Sequence, residues 1–94
     1  MKRFSKQMMY RIRNDIPIGN VITDILMMES KFADGHLRFL CPICRDFHTA
    51  TKSDTNLGRC FRCKRNFNPV DLVMIVNDWD FVKTVTHLRS FLKK

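Results

Sequence analysis

Four cysteines fall as two close pairs: Cys41-Pro-Ile-Cys44, then fifteen residues, then Cys60-Phe-Arg-Cys63. Two residues between thiols let a tight turn present both sulfurs to one ion, and a spacer of hairpin length brings the second pair opposite the first. The pattern predicts one structural Zn²⁺ in a tetrahedral shell of four thiolates, with Cys41, Cys44, Cys60 and Cys63 as ligands. A shell filled entirely by protein has no open position for a catalytic water. A lone Cys-x-x-Cys also suits a dithiol oxidoreductase, and four cysteines in a secreted chain suit a disulfide framework. Two pairs at this separation in a chain without a secretory leader favour the metal over both.

A metal also suits the length. At 94 residues the chain has room for one domain with a small core, and such cores are commonly reinforced by a bound ion. A second, catalytic domain is not expected. After Lys2 and Arg3 the start reads Phe4-Ser5-Lys6-Gln7, and the best apolar run, Val21 to Met28, is broken by Asp24. Neither a signal peptide nor a membrane span is therefore predicted, and the expected compartment is cytoplasmic with no membrane partner. With 45% hydrophobic residues and eight Phe, the composition excludes whole-chain disorder.

The organisation expected over 1–94 is a single domain: a basic segment at 1–13, a zinc ribbon at 36–67 and a helical pair at 68–92. Lys2, Arg3, Lys6, Arg11 and Arg13 occur without an acid while Phe4, Met8 and Ile12 recur every four residues, the pattern of a short amphipathic helix. Its basic side is either a solvated face or a nucleic-acid arm. Pro17 suits a helix start, and Ile18, Val21, Ile22, Ile25 and Leu26 follow at helical spacing to about Met28. Met27 and Met28 read as core filler or a plastic contact surface, with filler favoured because Met fills irregular gaps. Asp34-Gly35 marks a turn before a strand from His36 into Cys41, alternating as far as Phe39. Phe47 to Thr51 and Leu57 to Cys60 then predict a hairpin held between the cysteine pairs. Asn68-Pro69-Val70-Asp71 reads as a capped helix start with its end near Asn77. Asp80 caps a second helix with Phe81, Val85, Leu88 and Leu92 on one stripe and Lys93 and Lys94 at its end. The fold class is thus small α+β: a zinc ribbon flanked by N-terminal helices and two C-terminal helices.

Charge points to the partner. Seventeen Lys and Arg against nine Asp and Glu give a formal +8, which favours a polyanion. Between positions 38 and 65 stand Arg38, Arg45, Lys52, Arg59, Arg62, Lys64 and Arg65 against Asp46 and Asp54, a net of +5. Phe47, Phe61 and Phe67 are interleaved with them, and rings beside cations are what single-strand binders use to stack bases and hold phosphates. The alternative is that these rings cover the metal and the cations are ordinary surface. His48 lies four residues past Cys44 but is superfluous beside four thiolates; His36 and His87 are expected at the surface. No histidine stands near a serine or carboxylate in a pattern suggesting nucleophile and base.

On Leu40-Cys41-Pro42-Ile43-Cys44, Cys60-Phe61-Arg62-Cys63, Asn68-Pro69-Val70-Asp71-Leu72-Val73-Met74 and Phe81-Val82-Lys83-Thr84-Val85 ahead of Leu88, the chain resembles the N-terminal zinc-binding domain of bacterial and phage replicative primases. The Pro17 to Leu26 segment looks like that family's apolar N-terminal helix, so the likeness spans about residues 10–92. Three departures stand out. Cys44 occupies a ligand position that is usually His; Arg62, Lys64 and Phe67 replace glycines around the last cysteine; and Thr49-Ala50-Thr51 replaces a Pro-Ser-Phe run.

The resemblance implies contact with single-stranded DNA template, for which the charge cluster and its rings offer Arg38, Arg45, Lys52, Arg59, Phe61, Arg62, Lys64, Arg65 and Phe67. It also implies work alongside a DNA polymerase, primase catalytic subunit or helicase in primer synthesis, in a setting such as a phage or mobile element. The nine acids are scattered, and only Asp78 and Asp80 stand close together, so the chain is not expected to be an enzyme by itself. The rival expectation is a zinc-stabilised protein–protein adaptor that never binds DNA.

Overall fold

Asp34 and Gly35 both take left-handed backbone, with φ of 55° and 78°, and this two-residue turn folds β1 (Ser30–Ala33) back on β2 (His36–Phe39). The pairing is antiparallel, from Ser30 opposite Phe39 to Ala33 opposite His36. Left-handed geometry at both central positions matches the twist of a hairpin, and Asp-Gly tolerates it well. The computed structural model describes residues 4–92; Lys2, Arg3, Lys93 and Lys94, all assigned to helix ends above, lie outside them.

A second sheet carries β3 (Thr49–Lys52), β4 (Leu57–Cys60) and β5 (Arg65–Phe67) in the order β3-β4-β5, all antiparallel. Thr49 stands opposite Cys60 and Cys60 opposite Arg65, so the middle strand ends in a cysteine held from both sides. Thr49 also joins the two sheets. Its buried hydroxyl accepts from the Phe39 N–H at 2.8 Å and donates to the Phe39 carbonyl at 2.7 Å, while Arg38 Nη1 donates to the Thr49 carbonyl at 2.8 Å. A buried hydroxyl satisfied in both roles replaces the ladder bonds β2 and β3 would otherwise make.

Helices close the ribbon on one side. α1 (Lys6–Asn14) is capped by Ser5, whose hydroxyl accepts from the Met8 N–H. Its Phe4, Met8 and Ile12 stripe faces the core as the spacing predicted. α2 (Ile18–Asn20) continues directly into a π-helical turn, Val21–Ile25, which buries Val21 and Ile22. α3 (Pro69–Asn77) opens with a reciprocal capping box between Asn68 and Asp71, and α4 (Phe81–Arg89) is capped by Asp80. Leu72, Val73, Val85 and Leu88 are fully buried and meet Phe39 and Phe67 in one core, where the two rings stand edge to face at 6.3 Å.

Asn56 binds the ribbon to the helices. It takes φ 56° at the end of the β3–β4 loop and is buried. Its carbonyl oxygen accepts from the Ile18 N–H at 2.7 Å, and its Nδ2 donates to the carbonyls of Arg13 at 2.7 Å and Ile16 at 2.8 Å. One amide side chain thus satisfies three backbone groups of the α1–α2 connection.

Four expectations change. β1 was not foreseen, because its residues are nearly all exposed and give no in–out alternation to read. Met28 packs on the core but Met27 is 79% exposed in left-handed backbone, so it is no core filler. His87 is half-buried between Trp79 and Phe91, each ring 5.2 Å away, instead of free at the surface. α4 ends at Arg89, and three tight turns follow to Leu92; Phe81, at its start, is 43% exposed and packs on Phe4.

Candidate metal centre and the adjoining sheet face

β2 delivers the chain to the first cysteine pair, and β4 and β5 bracket the second. The two turns are alike. In each, the residue directly after the second cysteine is left-handed: Arg45 at φ 59° and Lys64 at φ 56°. This reversal aims both sulfurs of a pair to one side. In the first turn the Arg45 N–H donates to the Cys41 carbonyl at 2.9 Å and the Cys41 N–H to the Asp46 carbonyl at 3.0 Å. In the second, the Cys63 N–H donates to Cys60 Sγ at 3.3 Å.

Asp46 clasps the turns together. Its carboxylate accepts from the His48 N–H at 2.6 Å and pairs with Arg62 Nη1 at 3.2 Å. The His48 amide first, then Arg62, hold that carboxyl below the usual carboxylate range. The β3–β4 pairing extends one step beyond its ladder, with the Phe61 N–H donating to the His48 carbonyl at 2.9 Å.

All four sulfurs lie within 4.8 Å of one another, and Cys41 and Cys60 are buried. Cys41 Sγ is 3.8 Å from Cys63 Sγ, and Cys44 Sγ is 3.6 Å from Cys60 Sγ. A tetrahedral ion with metal–sulfur bonds of about 2.3 Å separates its ligands by about 3.8 Å. The quartet therefore fits a metal ion with little movement, and all four cysteines are free of disulfides. Four thiols crowded together resist ionisation unless a cation joins them. Hydrogen bonding to Cys44, then burial, pushes the Cys63 thiol up to about 12, and burial likewise pushes Cys44 up. Burial opposes ionisation of Cys60 too, yet the Cys63 amide and the neighbouring thiols bring it below its ordinary value.

Behind the cluster lies the outer face of the three-stranded sheet. Residues paired across antiparallel strands share a face, so Ala50, Arg59 and Asn66 form one row and Lys52 and Leu57 the next. His48 and Phe61 stand at the metal end, their rings 5.4 Å apart. Arg59 and Phe61 flank Cys60 in the chain, so alternation turns them away from the core as Cys60 turns in. The Arg59 guanidinium carbon sits 5.7 Å from the Phe61 ring centre, and Arg59 Nη1 donates to Asn66 Oδ1 at 3.0 Å.

The predicted nucleic-acid contacts separate into groups. Arg59, Phe61 and Lys52 lie along this outer face, and Arg45 and Lys64 are exposed beside the cysteines. Arg62 is engaged with Asp46, and Arg38 is held by the Thr49 carbonyl and Asp34, with only 20% of its side chain exposed. Phe67 is corrected: it is 0% exposed, packed on Phe39 beneath Arg65, and offers no ring to a base. Phe47 lies under Lys31 at 4.8 Å. Ala50, Leu57 and Asn66 were overlooked. The strand period on either side of Cys60 is the signal that places them with Arg59.

A scan against protein-family models gave no match, and a search of curated proteins gave none either. No helix among the described residues is long and apolar enough to cross a membrane. Fold and site together define a small α+β protein of zinc-ribbon-like architecture whose four cysteines can hold a metal ion.

Proposed function

We propose that this chain is a zinc-binding accessory factor of DNA replication. It holds single-stranded template on the outer face of the β3-β4-β5 sheet and works with a DNA polymerase, primase catalytic subunit or helicase that makes the primer. The observation that carries the reading is Phe61, 43% exposed on an open sheet face with Arg59 over its ring, Lys52 on the same face, and Arg45 and Lys64 exposed beside the cysteines. Exposed rings flanked by cations bind single strands by stacking bases and pairing phosphates. The resemblance to the zinc-binding domain of replicative primases supports the same role. Zn²⁺ is assigned to the quartet because four thiolates suit a borderline-soft ion with no geometric demand of its own. Held by Cys41, Cys44, Cys60 and Cys63, it supplies a cross-link between the two turns. In this role the chain contributes recognition, and nucleotidyl transfer belongs to the partner.

Anisotropy titrations with a labelled single strand test this. Phe61→Ala should weaken binding about tenfold, since stacking is worth about 1–3 kcal/mol per base. The triple change Arg62→Ala/Lys64→Ala/Arg65→Ala should flatten the dependence of affinity on salt. Unchanged affinity and unchanged salt slope in both variants would sink the DNA role.

The adaptor reading has its own support in a groove of about 310 Å³ beside the first cysteine turn, lined by Met28, Leu40, Pro42, Ile75 and Val76 with Glu29 and Arg45. An adaptor would retain a protein partner on affinity purification and shift no oligonucleotide.

A further inference from the structure

The middle of the outer sheet face is a hollow, with His36, Thr51 and Thr55 also in its wall. A cavity of about 480 Å³ opens over Ala50, with Leu57 on its floor, Phe61 at one end, Lys52 at the other, and Arg59 and Asn66 along one side. That volume falls in the range of small-molecule sites. Ala50 is what leaves the space: it stands directly opposite Arg59, where a larger side chain would fill the hollow. No carboxylate lines it.

The polar group beside the Phe61 ring, Arg59, is a fixed donor. A guanidinium has no acceptor, so the Asn66 atom facing Arg59 Nη1 at 3.0 Å is its oxygen, and the Asn66 amide NH₂ is directed elsewhere. Held by Asn66 on one edge and by the Phe61 ring on its face, Arg59 keeps its remaining N–H groups for another partner. Lys52 adds an exposed donor, with the Asp54 carboxylate 4.0 Å from its Nζ. Among the purines, guanine alone presents two adjacent acceptors, O6 and N7, to such a fork; adenine places an amine donor in the O6 position. An adenine set against Arg59 places donor against donor, which costs the unpaired groups their hydration.

Resting on the single-strand reading above, we propose that this hollow is a one-base slot selecting guanine over adenine: Phe61 stacks on the base, and Arg59, oriented by Asn66, reads O6 and N7. Arg59 and Asn66 are then its specificity-determining residues. The aromatic and the cations around the slot supply affinity that every base shares.

Two labelled strands test this, an all-adenine run and the same run with one central guanine. Exchanging purine for purine leaves the stacking area unchanged and isolates the edge chemistry. The guanine strand should bind about tenfold more tightly, the value of one good bidentate pair. Hypoxanthine, which keeps O6 and N7, should bind like guanine, and 7-deazaguanine like adenine. Arg59→Lys, with metal content and melting checked against the parent, should bring the two strands to equal affinity while the salt dependence stays the same. Asn66→Ala should narrow the preference. Equal binding of both strands, with Phe61→Ala still weakening both, overturns the slot and leaves the single-strand reading standing. Failure of both strands to bind overturns both readings, and full preference in a folded Arg59→Lys variant overturns the role given to Arg59.

Discussion

A β-carbon added to Gly58 would lie 2.9 Å and 3.0 Å from two carbons of the Phe39 ring, which is fully buried and packed on Phe67. The ring has nowhere to go, so Gly58→Ala should cost about 1–3 kcal/mol in urea unfolding, as overpacked cores do. Phe39→Leu in the same chain should recover part of that loss. Asn56 gives a second test. Asn56→Ala leaves three buried backbone groups without partners and puts a β-carbon in left-handed backbone, and should cost about 3 kcal/mol or more. Asn56→Gly removes the same hydrogen bonds but relieves the backbone, so it should lie about 1 kcal/mol above the alanine variant. Equal losses would mean the backbone geometry is unimportant. Residues of this kind are the least legible in sequence. Asn56 looks like any polar turn residue, because its three partners lie about forty positions earlier. Phe67 looks like part of a basic, aromatic surface because Lys64 and Arg65 precede it; a three-residue strand is too short to show that it turns inward.

The cysteine turns were legible as elements because their chemistry is local: spacing alone brings two sulfurs together. The α3 and α4 starts were legible for the same reason, their caps lying within three residues of the groups they satisfy. β1 was hidden because it is held by its partner strand and buries almost nothing of its own. The turns make a prediction that runs against their charge. Arg45 and Lys64 both hold left-handed backbone, a geometry that costs a side chain about 1 kcal/mol relative to glycine. Arg45→Gly and Lys64→Gly should each raise the thermal midpoint of the metal-loaded protein while weakening polyanion binding. A lowered midpoint in both would show that their side chains stabilise the turns more than the backbone strains them.

At the scale of the molecule, a metal held by the four cysteines and the core would act as one system. Both cysteine turns grow out of strands whose inner faces carry Phe39 and Phe67, so losing the ion frees the ends of both sheets. Chelation should therefore collapse the near-ultraviolet signal and the single-strand affinity together, and added Zn²⁺ should restore both. Loading must also release protons, since the ligands are thiolates and Cys63 is pushed up to about 12 without a cation. Zinc affinity should accordingly fall as pH falls from about 8 to 6; competition with a chelator dye checks this, and a flat profile would speak against thiolate ligation.

The Asn56 bonds also set a timetable. They join positions 38 to 43 residues apart, and ribosomes add about 5–20 residues per second. The connection between α1 and α2 thus waits about 2–8 seconds after its synthesis for the side chain that completes it. Cys60 and Cys63 emerge only after Asn56, so metal capture and closure of the amino-terminal half fall in the same late interval. Until then the apolar stripe from Ile12 to Ile22 is bare, which makes the nascent chain a natural client for a holding chaperone during those seconds.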